Sequence, residues 1–222
     1  MQPRTMSQRT SAREEKRTGI LLAASQVFAR KGYETTALEE VARKAGLAKG
    51  TLYLYFKDKE ALYLQTVLYV LESLQADLLQ QVERQPPGVQ KLRAFACCQL
   101  AFFARNRDTL RLFADLFTPG LANLHKRLIA PMQQKRALLI AYLSRLVEEG
   151  KRQGEIRRDL ESQRIALSFL GMVNQASQSL SRFGLAEPEP KAPVEDPERV
   201  ADTIMKILTE GISSSREGGG GS

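Results

Sequence analysis

Cysteine and histidine are nearly absent from this chain of 222 residues, which holds two of the first, Cys97 and Cys98, and one of the second, His125. Adjacent cysteines cannot staple distant segments, so a disulfide scaffold is excluded and a reducing, cytoplasmic setting is expected. So few ligands also rule out a zinc finger or a histidine-rich catalytic metal centre. Long apolar runs are missing: none approaches the ~18 residues that span a bilayer. The stretch 1–17 is basic and polar, without the apolar core of a secretory signal. No membrane association is expected. No Ser/His/Asp set, paired-carboxylate motif or Gly-rich phosphate loop is recognisable, so neither catalysis nor a cofactor is expected. Alternating strands and solenoid repeats are missing too.

What is present is ordinary in amount and uneven in place. Hydrophobic residues make up 43% and charged residues 26%, close to the soluble globular average. The chain is long enough to bury roughly 70% of its unfolded surface, as one large or two small domains. Net charge is +8, and most of the excess lies early: residues 1–64 carry 12 Lys/Arg against 7 Asp/Glu, the remainder 21 against 18. A basic N-terminal module for nucleic acid, joined to a nearly balanced body, would produce this split. Simple solvation of the surface would also produce it.

The apolar spacing is helical throughout. Ile20, Ala23, Ala24, Val27 and Phe28 recur at three and four residues and stop at Gly32; Leu38, Val41, Ala42 and Ala45 repeat the pattern and stop at Gly46. A longer helix carries Leu62, Val67, Leu71, Leu74 and Leu78 as far as Pro86-Pro87-Gly88. Leu92, Phe95, Leu100 and Phe103 follow, then Leu110, Phe113, Leu116 and Phe117. A long segment over 121–154 is helical with a disturbance at Pro131. Ile165 to Leu180 and Val200 to Leu208 complete the pattern, with a proline-rich loop over 187–197 between them. The expected fold is all-α, with about nine helices.

Residues 36–64 carry the specific signal. Thr36-Ala37-Leu38-Glu39 reads as a capping box, the Thr hydroxyl binding the amide three residues on and Glu39 binding back. The short helix it opens ends at Ala45-Gly46, and a second, about 48–55, follows a tight turn. Helix, Gly-containing turn, helix is the helix-turn-helix geometry, whose second helix can enter a major groove. The run Glu40-Val41-Ala42-Arg43-Lys44-Ala45-Gly46-Leu47-Ala48-Lys49-Gly50-Thr51-Leu52-Tyr53-Leu54-Tyr55-Phe56-Lys57-Asp58-Lys59-Glu60-Ala61-Leu62 resembles the DNA-binding signature of the tetracycline-repressor (TetR) family. Phe28-Ala29-Arg30-Lys31-Gly32-Tyr33 before Thr35-Thr36 resembles the end of that family's first helix. One departure is Ala48, where the family often has a capping Ser or Thr.

The resemblance implies a three-helix helix-turn-helix domain over 15–64 and a larger α-helical ligand-binding and dimerisation domain over 65–215. A flexible basic arm over 1–14 and a flexible tail over 216–222 flank them. It implies a homodimeric repressor of palindromic double-stranded operator DNA. Thr36, Lys49, Gly50, Thr51, Tyr53, Tyr55 and Lys59 are the candidate DNA contacts. Lys49 reaches guanine or phosphate, Gly50 lets the backbone approach closely, and the tyrosine hydroxyls bind phosphates. Leu52 and Phe56 are assigned to the core. In the larger domain a small lipophilic effector, with fatty acyl-CoA or a fatty acid as the leading guess, is expected among Phe95, Phe103, Phe113, Phe117, Met132, Tyr142 and Phe169. Arg105, Arg107 and Arg111 are a basic cluster for its anionic end. A solid aromatic core, a drug-like aromatic effector, and a helical interaction protein without operator function are the competing accounts. Asn174 and Gln175 orient a polar group, satisfy each other or face a dimer partner, and Lys91 and Arg93 raise a redox role for the cysteines.

Overall fold

The computed structural model describes residues 6–106, 112–113, 121–181 and 196–211, with the backbone alone at 6–10, 122 and 181. Eight helices form among the described residues: α1 (Met6–Lys31), α2 (Leu38–Lys44), α3 (Lys49–Tyr53), α4 (Lys59–Glu83), α5 (Val89–Arg105), α6 (Ala122–Gln153), α7 (Ser162–Ser181) and α8 (Pro197–Glu210). None is long and apolar enough to cross a membrane. The further helix expected around Leu110 to Phe117 falls mostly outside the described residues. So do Phe117, Arg107, Arg111, the tail and most of the proline-rich loop.

Two expectations change. Residues 6–14 are the opening turns of α1, not an arm, because Arg, Glu, Lys and Gln are good helix formers and polarity prevents burial, not helix. Ser11 supports those turns by donating to Glu15 at 3.1 Å. In α6 the helix runs through Pro131 without a break.

The chain divides into two units, the first comprising Met1–Asp77 with Asn106–Gln133 and the second Leu78–Arg105 with Gln134–Ser222. The division falls inside α4 and α6, not after Leu64, because apolar residues beyond that point belong to the first core. That core joins Ile20, Val27 and Phe28 of α1 to Val41, Leu52, Phe56, Tyr63 and Val67, and also to Leu112, Leu124 and Leu128. Phe28, Tyr33 and Tyr63 meet ring to ring, the closest centroids 4.9 and 5.0 Å apart. The buried Tyr63 hydroxyl donates to the Leu112 carbonyl at 2.6 Å, so the ring is packed and its polar end satisfied.

In the second unit α5 packs against both α7 and α8. Its core includes Leu92, Phe95, Leu146, Val147, Phe169, Val173 and Ile204. The entry to α5 is fastened from the turn after α6: the Val89 amide, one of the donors a helix start leaves unpaired, donates to Glu155 Oε2 at 3.0 Å. Gly88, just before it, has φ +82°, and a Cβ there would lie 2.2 Å from both the Gln153 side-chain amide and Glu155 Oε2. Asp196 caps α8 by accepting from the Glu198 amide at 3.1 Å, with Pro197 suited to the first helical position.

Candidate nucleic-acid interface

The path from α1 to α3 is set by short-range bonds. Thr36 is 3% exposed, and its hydroxyl donates backward to the Gly32 carbonyl at 2.7 Å. The N-cap of α2 is Ala37, with no side-chain cap. The expected capping box therefore does not form, and Thr36 fastens the turn after α1 instead of presenting a hydroxyl to phosphate. The same hydroxyl has two acceptable partners, and the inward one wins once the residue is buried.

At the other end of α2 the helix stops in a tight double turn. The Leu47 amide donates to Ala42 O at 2.8 Å and the Gly46 amide to Arg43 O at 3.1 Å. Gly46 has φ +68°, the left-handed conformation that this helix end requires and glycine adopts most readily. Ala48 then precedes α3 as an N-cap without a side-chain bond, as its methyl dictates. The second helix ends at Tyr53, two residues earlier than expected. Leu52 and Phe56 are buried, as their core assignment requires.

The candidate site is what α3 and the two residues after it turn outward. Lys49 and Gly50 are exposed, Thr51 and Tyr55 half-buried, Tyr53 is 44% exposed and Leu54 75%. A Cβ on Gly50 would meet nothing within 4 Å, and its φ lies outside the left-handed region. Nothing inside the fold therefore demands a glycine there. Lys49 forms an ion pair with Glu39 of α2, a partnership that the capping pattern in the sequence does not reveal. Lys59 is half-buried: its ammonium donates to Glu34 O at 2.9 Å and sits 4.6 Å from the centre of the Tyr33 ring. Burial holds its pKa below the ordinary lysine value. One bond leaves an ammonium two further donors. Arg17 lies over the Phe56 ring at 5.8 Å and donates to Gln65, bracing α1 against the end of the reading segment.

The residues expected to line an effector site are spread over both units. Phe95 and Phe169 are fully buried and pack ring against ring at 5.9 Å. Phe103 is half-buried in the same unit, as is Tyr142, whose hydroxyl donates to Glu83 at 2.7 Å. Phe113 packs on the core of the first unit, where Met132 is 38% exposed. Arg105 is exposed at the end of α5. Asn174 accepts from Gln99 Nε2 at 2.7 Å, which joins α7 to α5 and uses the amide within the fold. Desolvation pushes both thiols above the ordinary cysteine value, more than Arg93 lowers Cys97. Thiolate chemistry is thus disfavoured at both positions. No His/Cys/Asp/Glu group that could hold a metal ion occurs among the described residues.

Comparison with known proteins bears on both units. The chain is 35% identical over 103 residues to the HTH-type transcriptional activator FasR of Mycolicibacterium smegmatis, a match covering 46% of this chain and 47% of that one. The chain thus matches about half the length of that relative. A solved structure of FadR from Bacillus subtilis with stearoyl-CoA superposes with a TM-score of 0.63 at 19% identity, covering 88% of this chain and 99% of that one. AibR, solved with isovaleryl coenzyme A and operator DNA, superposes with a TM-score of 0.56 at 22% identity over 87% and 98%. These two likenesses show the fold. The model of the bacterial regulatory proteins, tetR family, matches residues 20–66, and that of the tetracyclin repressor-like C-terminal domain matches residues 85–178. With the two models in this order, and the first spanning the helix-turn-helix built by α2 and α3, the chain belongs to the TetR family of bacterial regulatory proteins.

Proposed function

We propose that the chain is a homodimeric, ligand-responsive transcriptional repressor that binds palindromic duplex DNA through α3 and is released by a fatty acyl-CoA or fatty acid. The observation that carries the DNA reading is the outer face of α3. It presents a cation, a tyrosine and a glycine, with the half-buried Tyr55 just beyond its end, and the glycine answers no requirement of the fold. Lys49 and Thr51 lie where a recognition helix meets base edges. Tyr53 and Tyr55 lie one turn on, where hydroxyls reach phosphates and fix the register. Lys59 adds a donor at the start of α4.

Dimerisation is assigned to α7 and α8, whose outer faces leave Leu167 and Ile207 exposed. Pairing with their copies as a four-helix bundle covers those faces. It also sets two α3 helices on one side of DNA, half-sites ~34–36 Å apart or a multiple. The acyl effector is supported by the apolar interior of the second unit and by the acyl-CoA ligands named for FadR and AibR. Phe95 and Phe169 pack ring against ring there, and the half-buried Phe103 and Tyr142 offer ring surface beside them. Release works by linkage: a ligand that favours a separation of the two α3 helices unsuited to DNA weakens DNA binding by the same coupling, typically ~1–3 kcal/mol.

The test is a mobility shift on the upstream DNA of the chain's own gene, at several salt concentrations, followed by titration of stearoyl-CoA, free stearate and an aromatic drug. Salt-sensitive binding with release by an acyl compound is expected. Release by the drug alone replaces the effector and keeps the switch. No binding to any duplex removes the repressor reading in favour of a helical interaction protein.

A further inference from the structure

We propose that Glu39 and Lys49 act together as the reader of one G·C base pair in each half-site, Glu39 accepting from the cytosine N4 amine and Lys49 donating to guanine O6 and N7. This rests on α3 being the face that meets DNA. Glu39 sits in the first turn of α2 and Lys49 opens α3, so the two short helices bring an acid and a base to one point on the outer surface. Each side chain keeps about half its surface in water, 56% for the glutamate and 50% for the lysine. The capping role that the sequence offers Glu39 is not taken, because Ala37 is the cap and carries no side-chain bond. The pair lies beside Gly50, where no side chain prevents a close approach.

The chemistry of such a pair is specific. Alone, an exposed lysine on a DNA face is drawn to any phosphate. Paired, it is neutralised, and its carboxylate is repelled by the backbone. The pair is most favourable where the DNA offers two adjacent acceptors to the ammonium and, next to them, a donor to the carboxylate. In the major groove a G·C pair offers guanine N7 and O6 side by side and then the cytosine N4 amine. Adenine gives the ammonium a single acceptor, with an amine as its neighbour. Mutual bonding holds the Glu39 carboxyl below its ordinary range and the Lys49 ammonium above its own, so both are charged at neutral pH. Glu39 thus withholds Lys49 from non-specific DNA and sharpens the choice of site.

The experiment uses the full chain and a random-sequence duplex library, from which the wild type selects its preferred site. Affinities of wild type, Glu39→Ala, Glu39→Gln and Lys49→Ala are then measured on that duplex, on every single base-pair change within a half-site, and on a scrambled duplex. Circular dichroism checks that each variant keeps its helices. In wild type, one G·C position per half-site should be preferred by about tenfold or more, within the range that such contacts supply. In both Glu39 variants that preference should fall below about twofold. They should also bind the scrambled duplex more tightly, with a salt dependence steeper by about 0.9 per freed lysine. Unchanged preference at every position in both Glu39 variants overturns the proposal, as does loss of preference at an A·T position instead. A library from which the wild type enriches nothing strikes the DNA reading itself, a different and recognisable failure.

Discussion

In the second unit polar side chains join one element to another, whereas at α3 in the first unit a glycine, a tyrosine and a leucine are left outward. Glu83 accepts from Lys91 and from Tyr142, Gln99 donates to Asn174, Arg93 pairs with Asp202 at 2.7 Å, and Glu155 caps α5. Each of these contacts joins different elements of the second unit. On the outer side of α3, by contrast, Gly50, Tyr53 and Leu54 face solvent, Tyr53 at 44% and Leu54 at 75% exposure. Polar and aromatic residues that a fold does not use are the ones left for a partner. The contrast separates residues kept for stability from residues kept for contact, and each kind of substitution should fail in its own way.

The largest effect should come from the second core. Phe169→Ala removes one of two rings packed 5.9 Å apart in a closed interior and should cost about 3–5 kcal/mol in chemical denaturation. Smaller, and still a matter of stability, is Gly88→Ala. It forces a side chain into the left-handed region and displaces Glu155 from the Val89 amide, for a loss of about 2 kcal/mol by the same measurement. In the first unit the readout changes. Gly50→Ala should leave stability unchanged or raised by about 0.5 kcal/mol, alanine being the better helix former, while DNA affinity drops about tenfold, or ~1.4 kcal/mol. A Gly50→Ala variant that binds as tightly as wild type would break the contrast. Tyr53→Phe should weaken binding by about 1 kcal/mol on specific and scrambled duplexes alike, because a phosphate bond carries no sequence information. Its stability should stay within about 0.5 kcal/mol of wild type, and isothermal titration beside thermal melting would separate the two.

The helix-turn-helix was legible because its requirements are local. A small residue for close crossing, a glycine for positive φ and an apolar Leu52 and Phe56 for the core all follow from spacing of a few residues. The bond that Thr36 makes is not legible in the same way, because a capping bond and a backward bond to a carbonyl suit one sequence equally, and only burial decides between them. Residues 6–14 were read as an arm because their polarity said nothing against an exposed helix. Glu39 was visible as a residue but not as a partner of Lys49, since the bond depends on how two helices cross. In the second unit the periodicity revealed helices and apolar faces. Whether Phe95 and Phe169 faced a cavity or each other depended on contacts 74 residues apart in sequence, which no local pattern encodes.

The bond from Tyr63 to the Leu112 carbonyl has a consequence for anyone who would move this DNA-reading head to another protein. Residues 1–77 are not a transplantable module, since Leu112, Leu124 and Leu128 complete their core from beyond α5. A chimera cut after Asp77 would expose that apolar surface and leave a buried phenol without its acceptor. Assembly of the head must also await synthesis of the later segment. On a ribosome, the N-terminal helices would emerge and wait for about fifty more residues before their core could close.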